Sequence, residues 1–321
     1  MTRVYPSRRA RCRTRTFRPE GELQCPNVIR CRIPLRAFRS RPRGPETDRA
    51  PGLTQEMTTR PDHGEQDYRG AGRLAQRRAL VTGGDSGIGR AVAVAFAREG
   101  ADVAVSYLPE EEPDARETMR LIEDAGRRRA RPPRRHPLRE HCRALVESTV
   151  ESFGGLDILV NNAAYQMATP GGIADISTEQ FDRVMKTNLY ALFWLCKFAV
   201  AVMPAGSTII NTSSIQGTNP SPSLMDYATT KAGIVDFTKA LADDVAGRGI
   251  RVNAVAPGPI WTPLIPATMP PEQYREFGKD VPLGRPGQPA ELAPRYVFFA
   301  SPESSYITGE VLGITGGTPF T

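Results

Sequence analysis

No run of the sequence approaches the length of an apolar membrane span, and the N-terminus lacks the hydrophobic centre of a secretory signal. Both absences predict a soluble, cytoplasmic protein with no membrane partner. Cysteine is scarce. Cys12, Cys25, Cys31, Cys142 and Cys196 are odd in number and scattered, with no C-x-x-C pair, so neither a disulfide framework nor a metal site is expected. Lysine is nearly missing as well, with five against 37 arginines, the bias a GC-rich gene produces. What remains is ample: 321 residues of 40% hydrophobic content can bury a full core in one large α/β domain.

The net charge of +7 invites a nucleic-acid reading, so its location matters. Residues 1–50 hold fourteen arginines against Glu20, Glu22, Glu46 and Asp48, while the remainder of the chain is slightly acidic. The excess belongs to the tail. Rich in proline and without apolar periodicity, residues 1–50 cannot bury enough surface to offset their ordering entropy, which predicts a disordered segment. An RNA or membrane-surface arm and an organellar transit peptide share this composition; an incidental extension with no nucleic-acid partner is the expectation.

From residue 78 onward, short apolar strands alternate with helical patterns, the signature of a parallel sheet covered by helices on both faces. The strands are expected at 78–83, 101–107, 156–162, 207–214, 250–258 and 310–317. Ser177 followed by Gln180 predicts a capping box at the start of a long helix, TEQFDRVMKTNLYALFWLCKFAVAVM. A doubly wound sheet needs one more strand, after the helix that ends near Gly126. The stretch in that slot, AGRRRARPPRRHPLRE (125–140), carries arginine and proline where strand formers belong, so the third strand is expected to be atypical.

RALVTGG runs into GDSGIGR and then a helical pattern, placing Gly83, Gly87 and Gly89 where a pyrophosphate approaches bare backbone at a helix N-terminus. The lone triplet is weak; its strand–turn–helix context makes it strong. In YATTK, Tyr227 and Lys231 stand four apart and share a helix face. A tyrosine is a poor base with a reference pKa of ~10, but a neighbouring ammonium favours its phenolate and tunes it for proton exchange with an alcohol. Such a pair is more often merely solvated. Ser214, closing the strand STIINTSS thirteen residues earlier, puts a hydroxyl at the sheet edge where these folds hold ligands.

With TGGDSGIG, NNAA, Ser214 with YxxxK, and PGPIWT in order and spacing, the chain resembles the short-chain dehydrogenase/reductase family, and within it the bacterial glucose/ribitol-dehydrogenase-like branch. The resemblance covers residues 51–321, because 51–77 is similar to that branch's N-terminal extension and 78–321 to its catalytic domain. It implies a doubly wound Rossmann fold with a seven-stranded parallel sheet, an alcohol, sugar or carbonyl substrate, and a homotetramer formed through the long helices.

Site roles follow from the same resemblance. It makes Tyr227 the general acid/base, Lys231 the group that lowers the tyrosine pKa and holds the nicotinamide ribose, Ser214 the substrate-orienting hydroxyl, and Asn188 the fourth member. Thr82, Gly83, Asp85, Ser86, Gly87, Ile88 and Gly89 would cradle the dinucleotide. Asn162 would line its adenosine side, and Pro257, Gly258, Ile260 and Thr262 would meet the nicotinamide. Gln166, Gln216 and Trp261 are either pocket lining or ordinary packing. Ser106, Tyr107 and Leu108 end the second strand with neither the acid that binds a ribose hydroxyl nor the arginine that welcomes a 2′-phosphate. Asp85 and the run Glu110, Glu111, Glu112 make that corner acidic, which favours NAD over NADP.

Relatives of this branch fill the arginine stretch with an apolar strand of the same length. Arg135 stands where they have the Asp beside the adenine, and His136 replaces an aliphatic neighbour. Preserved length with altered chemistry is what a compensated reading-frame slip would leave. A genuine stretch predicts a folded but weakened enzyme with an impaired adenine pocket, its inward arginines each needing a partner or a route to solvent. Three function classes follow: an NAD(P)-dependent alcohol or sugar dehydrogenase or carbonyl reductase, a catalytically silent binding protein, and a nucleic-acid binder acting through the tail.

Overall fold

The computed structural model describes residues 50–130 and 139–320. Residues 1–49, Arg135 and His136 fall outside this range. In chain order the main elements are β1 (Arg78–Thr82), α1 (Gly87–Arg98), β2 (Asp102–Ser106), α2 (Glu112–Asp124), β3 (Arg129–Ala130), α3 (Arg139–Phe153), β4 (Ile158–Asn161) and α4 (Thr178–Met185). After a π-helical turn at Lys186–Tyr190 come α5 (Ala191–Val202), β5 (Thr208–Thr212), α6 (Met225–Ala246), β6 (Arg251–Pro257), α7 (Leu264–Thr268), α8 (Pro271–Glu276), α9 (Pro289–Ala300) and β7 (Val311–Ile314).

Alternation along the strands builds two cores. Ala79, Val81, Val103, Val105, Ile158 and Val160 point to one face, under α1, α2 and α9. Leu80, Ala104, Leu159, Ile209 and Val252 point to the other, under α3, α5 and α6. With both faces covered, the strands read as continuous apolar runs, as parallel strands must. The seven strands are all parallel in the order β3-β2-β1-β4-β5-β6-β7, the doubly wound Rossmann-type fold expected. The order reverses between β1 and β4, opening a crevice at the strands' C-terminal ends.

Two expectations need correction. The long helix is broken by the π-helical turn, with Ala191 N donating to Lys186 O across five residues. The capping box is half formed: Ser177 Oγ accepts from Gln180 N at 3.1 Å, but the Gln180 amide turns away to Thr169 Oγ1 (3.0 Å) and Asp226 Oδ2 (2.9 Å).

The third strand takes the edge position that the fold expects. Among the described residues, Arg129 and Ala130 pair with β2, at the sheet edge, where charge is best tolerated. Its arginines find partners. Buried Asp102 accepts from Arg127 Nη2 at 2.6 Å and from Arg128 Nε at 2.8 Å, and Arg129 Nε meets Glu123 Oε1 at 2.6 Å. Arg128 also lies over the Phe153 ring at 5.3 Å. Burial raises the Asp102 pKa, but the hydrogen bonds from Arg128 and the charge of Arg127 outweigh it, leaving the carboxyl below its usual range. Asp102→Ala is expected to cost about 1–3 kcal/mol, less than a fully buried pair because both guanidinium groups reach solvent. Thermal melting should drop by several degrees; an unchanged transition would mean that β3 is not held this way.

Candidate active site

The crevice between β1 and β4 is stitched by side chains. Thr82 Oγ1 accepts from the backbone N of Asn162 (2.9 Å) and Ala163 (3.0 Å), while Asn162 Nδ2 donates to the carbonyls of Thr82 (3.1 Å) and Gly83 (3.2 Å). Beside this seam the glycine turn leaves bare backbone. Gly83 has φ +60°, and a Cβ at Gly89 would fall 1.9 Å from Gly83 O, so neither position accepts a side chain without displacement. Ser86 precedes α1 without capping it, leaving the first-turn N–H groups uncovered by a side chain, the arrangement that receives a phosphate.

A cleft of about 1090 Å³ opens here. Thr82, Gly83, Asp85, Ser86, Gly87, Ile88 and Asn162 line one end of it; Pro257, Gly258, Ile260 and Thr262 line another wall. Gly89 lies beneath the lining, where its role is close packing against Gly83. The volume, the bare glycine backbone and the uncapped helix fit a dinucleotide. Beside the glycine turn Asp85 is buried, and burial pushes its carboxyl up to about 7. Glu111, which sequence reasoning saw only as part of an acidic run, faces the same corner and is pushed up to about 8 by burial and the Asp85 charge.

Ser214, Tyr227 and Lys231 also meet in the cleft. The end of β5 and the start of α6 are clasped together: Lys231 Nζ donates to Thr212 O (2.8 Å) and Ser213 Oγ to Lys231 O (2.8 Å). Lys231 Nζ lies 5.3 Å from the Tyr227 ring centre. Burial dominates both ionisations. It drives the Tyr227 phenol up to about 12, against a lowering hydrogen bond with Ser214, and brings the Lys231 ammonium down to about 7. The sequence spacing predicts an ammonium that lowers the phenol pKa; in this structure desolvation outweighs that attraction.

Asn188 sits in the π-helical turn, buried behind the cleft wall rather than in it. Its Oδ1 accepts from Tyr165 N (2.8 Å), and its Nδ2 donates to Tyr165 O (3.0 Å) and Thr230 Oγ1 (3.0 Å). It thereby ties the chain after β4 to the helix that carries Tyr227. Gln166 and Gln216 line the cleft; Gln166 Nε2 donates to Thr268 Oγ1 at 3.0 Å, and Gln216 Oε1 accepts from Ser221 N at 2.7 Å. For Trp261 the packing alternative holds. Fully buried, it points away from the cleft, because its neighbours Ile260 and Thr262 point in. Met269 and Phe277, from the segment after β6, line the cleft, as do Ala50, Pro51 and Gly52, for which the sequence gives no periodic signal.

Comparison with known proteins agrees with this geometry. A family model described as Enoyl-(Acyl carrier protein) reductase matches residues 83–319. The chain is 52% identical over 268 residues to the uncharacterized oxidoreductase YghA of Escherichia coli, covering 83% of this chain and 91% of that protein. It is 46% identical over 294 residues to a glucose and ribitol dehydrogenase homolog of Oryza sativa, covering 86% and 96%. A crystal structure of a short chain dehydrogenase from Burkholderia cenocepacia in complex with NADP superposes with a TM-score of 0.71 at 34% identity, covering 76% of this chain and 98% of that one. With its switch-point crevice, glycine turn and Ser-Tyr-Lys cluster, the chain belongs to the short-chain dehydrogenase/reductase family and is an oxidoreductase served by a nicotinamide cofactor.

Proposed function

We propose that the protein interconverts an alcohol or sugar hydroxyl and a carbonyl, with Tyr227 as the general acid/base. The observation that carries this reading is the convergence of Ser214, Tyr227 and Lys231 on one cleft, with the Lys231 ammonium 5.3 Å from the Tyr227 ring centre. Ser214 orients the substrate oxygen and Tyr227 exchanges its proton, while Lys231 supplies a cation that steadies the phenolate. Asn188 holds the wall behind them. The nicotinamide supplies the hydride chemistry, so the chain's part is alignment, electrostatics and exclusion of water. Residues 78–321 form the catalytic domain and 51–77 its extension in this reading, with 1–50 a separate tail. A homotetramer would cover the exposed apolar side chains Phe181, Tyr190 and Phe193, and a cytoplasmic location suits the chemistry.

The test is a panel of sugars, polyols, aldehydes and ketones with both nicotinamides, followed at the reduced cofactor's absorbance. Turnover of any hydroxyl/carbonyl pair supports the reading. Cofactor binding without turnover across the panel would favour a silent binding protein instead.

Cofactor choice turns on Asp85 and Glu111. Among the described residues, no arginine or lysine lines their corner with Ser86, Ser106, Tyr107 and Leu108, which favours NAD; the similar Burkholderia protein nevertheless carries NADP. Both carboxyls have raised pKa values, so near neutral pH they are substantially uncharged, and a 2′-phosphate meets less repulsion than the sequence suggests. Both cofactors are therefore expected to work near pH 7. The NADP-to-NAD ratio of kcat/KM should fall by about tenfold between pH 7 and pH 9 as the carboxylates form, above the phosphate's own titration. Glu111→Gln should flatten that slope; a ratio independent of pH in the unaltered protein refutes the argument.

A further inference from the structure

The chain before β1 contributes to the cleft in a way that neither the motifs nor the catalytic cluster account for. Residues 50–62 reach both of its sides. On the adenosine side, Thr54 N donates to Asp114 Oδ2 at 2.6 Å and Gln55 Nε2 to Pro113 O at 3.1 Å, fastening the segment to the start of α2. On the opposite side, Met57 is buried in a small cluster of its own with Trp261, Ile265 and Tyr274. The Trp261 indole N–H donates to Thr59 O at 2.7 Å, across 202 positions of sequence. Just before these anchors Ala50, Pro51 and Gly52 line the cleft itself. Gly52 lies so close to the loop after β6 that a Cβ there would fall 2.5 Å from Pro263 O.

Trp261 is flanked by Ile260 and Thr262, both cleft-lining. Ile265 touches Met57's cluster and also lines the cleft, with Met269 and Phe277 packed alongside. The loop that walls the cleft thus has an inner face toward the ligand and an outer face held by the segment before β1. Short helices of five and six residues, α7 and α8, have little stability of their own and depend on such packing.

We propose that residues 50–62 act as a strap that positions the Ile260–Phe277 wall against the cofactor, making Met57 and Trp261 positioning residues for the reaction. This rests on reading the cleft as a dinucleotide site. A strap tied to α2 at one end and to the wall at the other lowers the wall's freedom before any ligand arrives, so the cofactor loses less binding energy to ordering it. Losing the strap would therefore weaken cofactor binding and leave the proton-transfer groups, held on β5 and α6, in place.

Hydrogen exchange of the free protein and steady-state kinetics together test this. Met57→Ala is expected to speed amide exchange across residues 260–277 by about tenfold, and to raise the cofactor KM by about fivefold with kcat within about twofold. Met57→Leu should restore both, being close in volume. Trp261→Phe, which keeps a ring but removes the N–H donor, should fall between them. Gly52→Val reaches the same wall without truncating a core side chain and should give the same local exchange pattern, which keeps the test open if Met57→Ala folds poorly. Exchange rising equally in β1, β4 and β5 would reduce the segment to general stability and overturn the proposal, as would an unchanged wall and unchanged cofactor KM. The exchange result is read without cofactor or turnover, so it stands or falls separately from the assignment of the reaction.

Discussion

Tyr227→Phe is expected to lower turnover by about a thousandfold or more while cofactor affinity stays within about threefold, because only the group that exchanges the proton is removed. The ring remains, packed in the cleft beside Lys231, so the site's shape is conserved. The pH dependence should differ with direction. Burial holds the phenol up to about 12, so at neutral pH it is the protonated acid that carbonyl reduction requires, and the reductive rate should be nearly flat through pH 6–9. Alcohol oxidation needs the phenolate, so the oxidative rate should climb with pH over the same range. Single-turnover measurements in both directions check this. Substantial activity in the phenylalanine variant would remove Tyr227 from the chemistry and with it the proposed reaction.

Much of this was legible because parallel strands buried on both faces leave nearly uninterrupted apolar runs. Six of the seven strands sit within the spans expected for them, each one to four residues shorter than its span. β3 was legible as an unusual edge strand: among the described residues it is Arg129 and Ala130 that pair with β2, and Asp102 on that neighbouring strand accepts from Arg127 and Arg128. The π-helical turn was not legible: Asn188 within it exchanges a pair of hydrogen bonds with Tyr165, 23 residues away, a partner that local sequence cannot reveal. Trp261 could have been placed by alternation, because both neighbours were already assigned to the cleft. The strap had no signal of its own: its contacts with Trp261 and Asp114 are long-range and its sequence has no period.

Electrostatics was the least legible. Spacing puts Lys231 beside Tyr227 but says nothing about water, and it is the loss of water that sets both pKa values. This gives the second large effect. Lys231 is fully enclosed, with Thr212 O accepting from its ammonium, and burial brings its pKa down to about 7 from 10.5. Between those values the unfolded chain holds a proton that the folded chain does not, so this group makes stability rise with pH across the interval and penalises folding most at pH 7 and below. Replacing it with the similarly long, apolar methionine removes the penalty. Lys231→Met should therefore lower turnover by about a thousandfold, through loss of the cation that steadies the phenolate, and yet stabilise the protein. At pH 7 the gain is on the order of a few kcal/mol, or roughly 5–10 °C in melting temperature. That gain should shrink steadily as pH rises through 7–10 and vanish only above about pH 11, past the unfolded lysine's own pKa, where the group is neutral whether folded or not. Comparing melting curves of the two proteins across pH 6–10 cancels the titration of every other group. A methionine variant less stable than the parent at pH 7 would mean that the bond to Thr212 is worth more than the desolvation it offsets, and that the site stores no such strain.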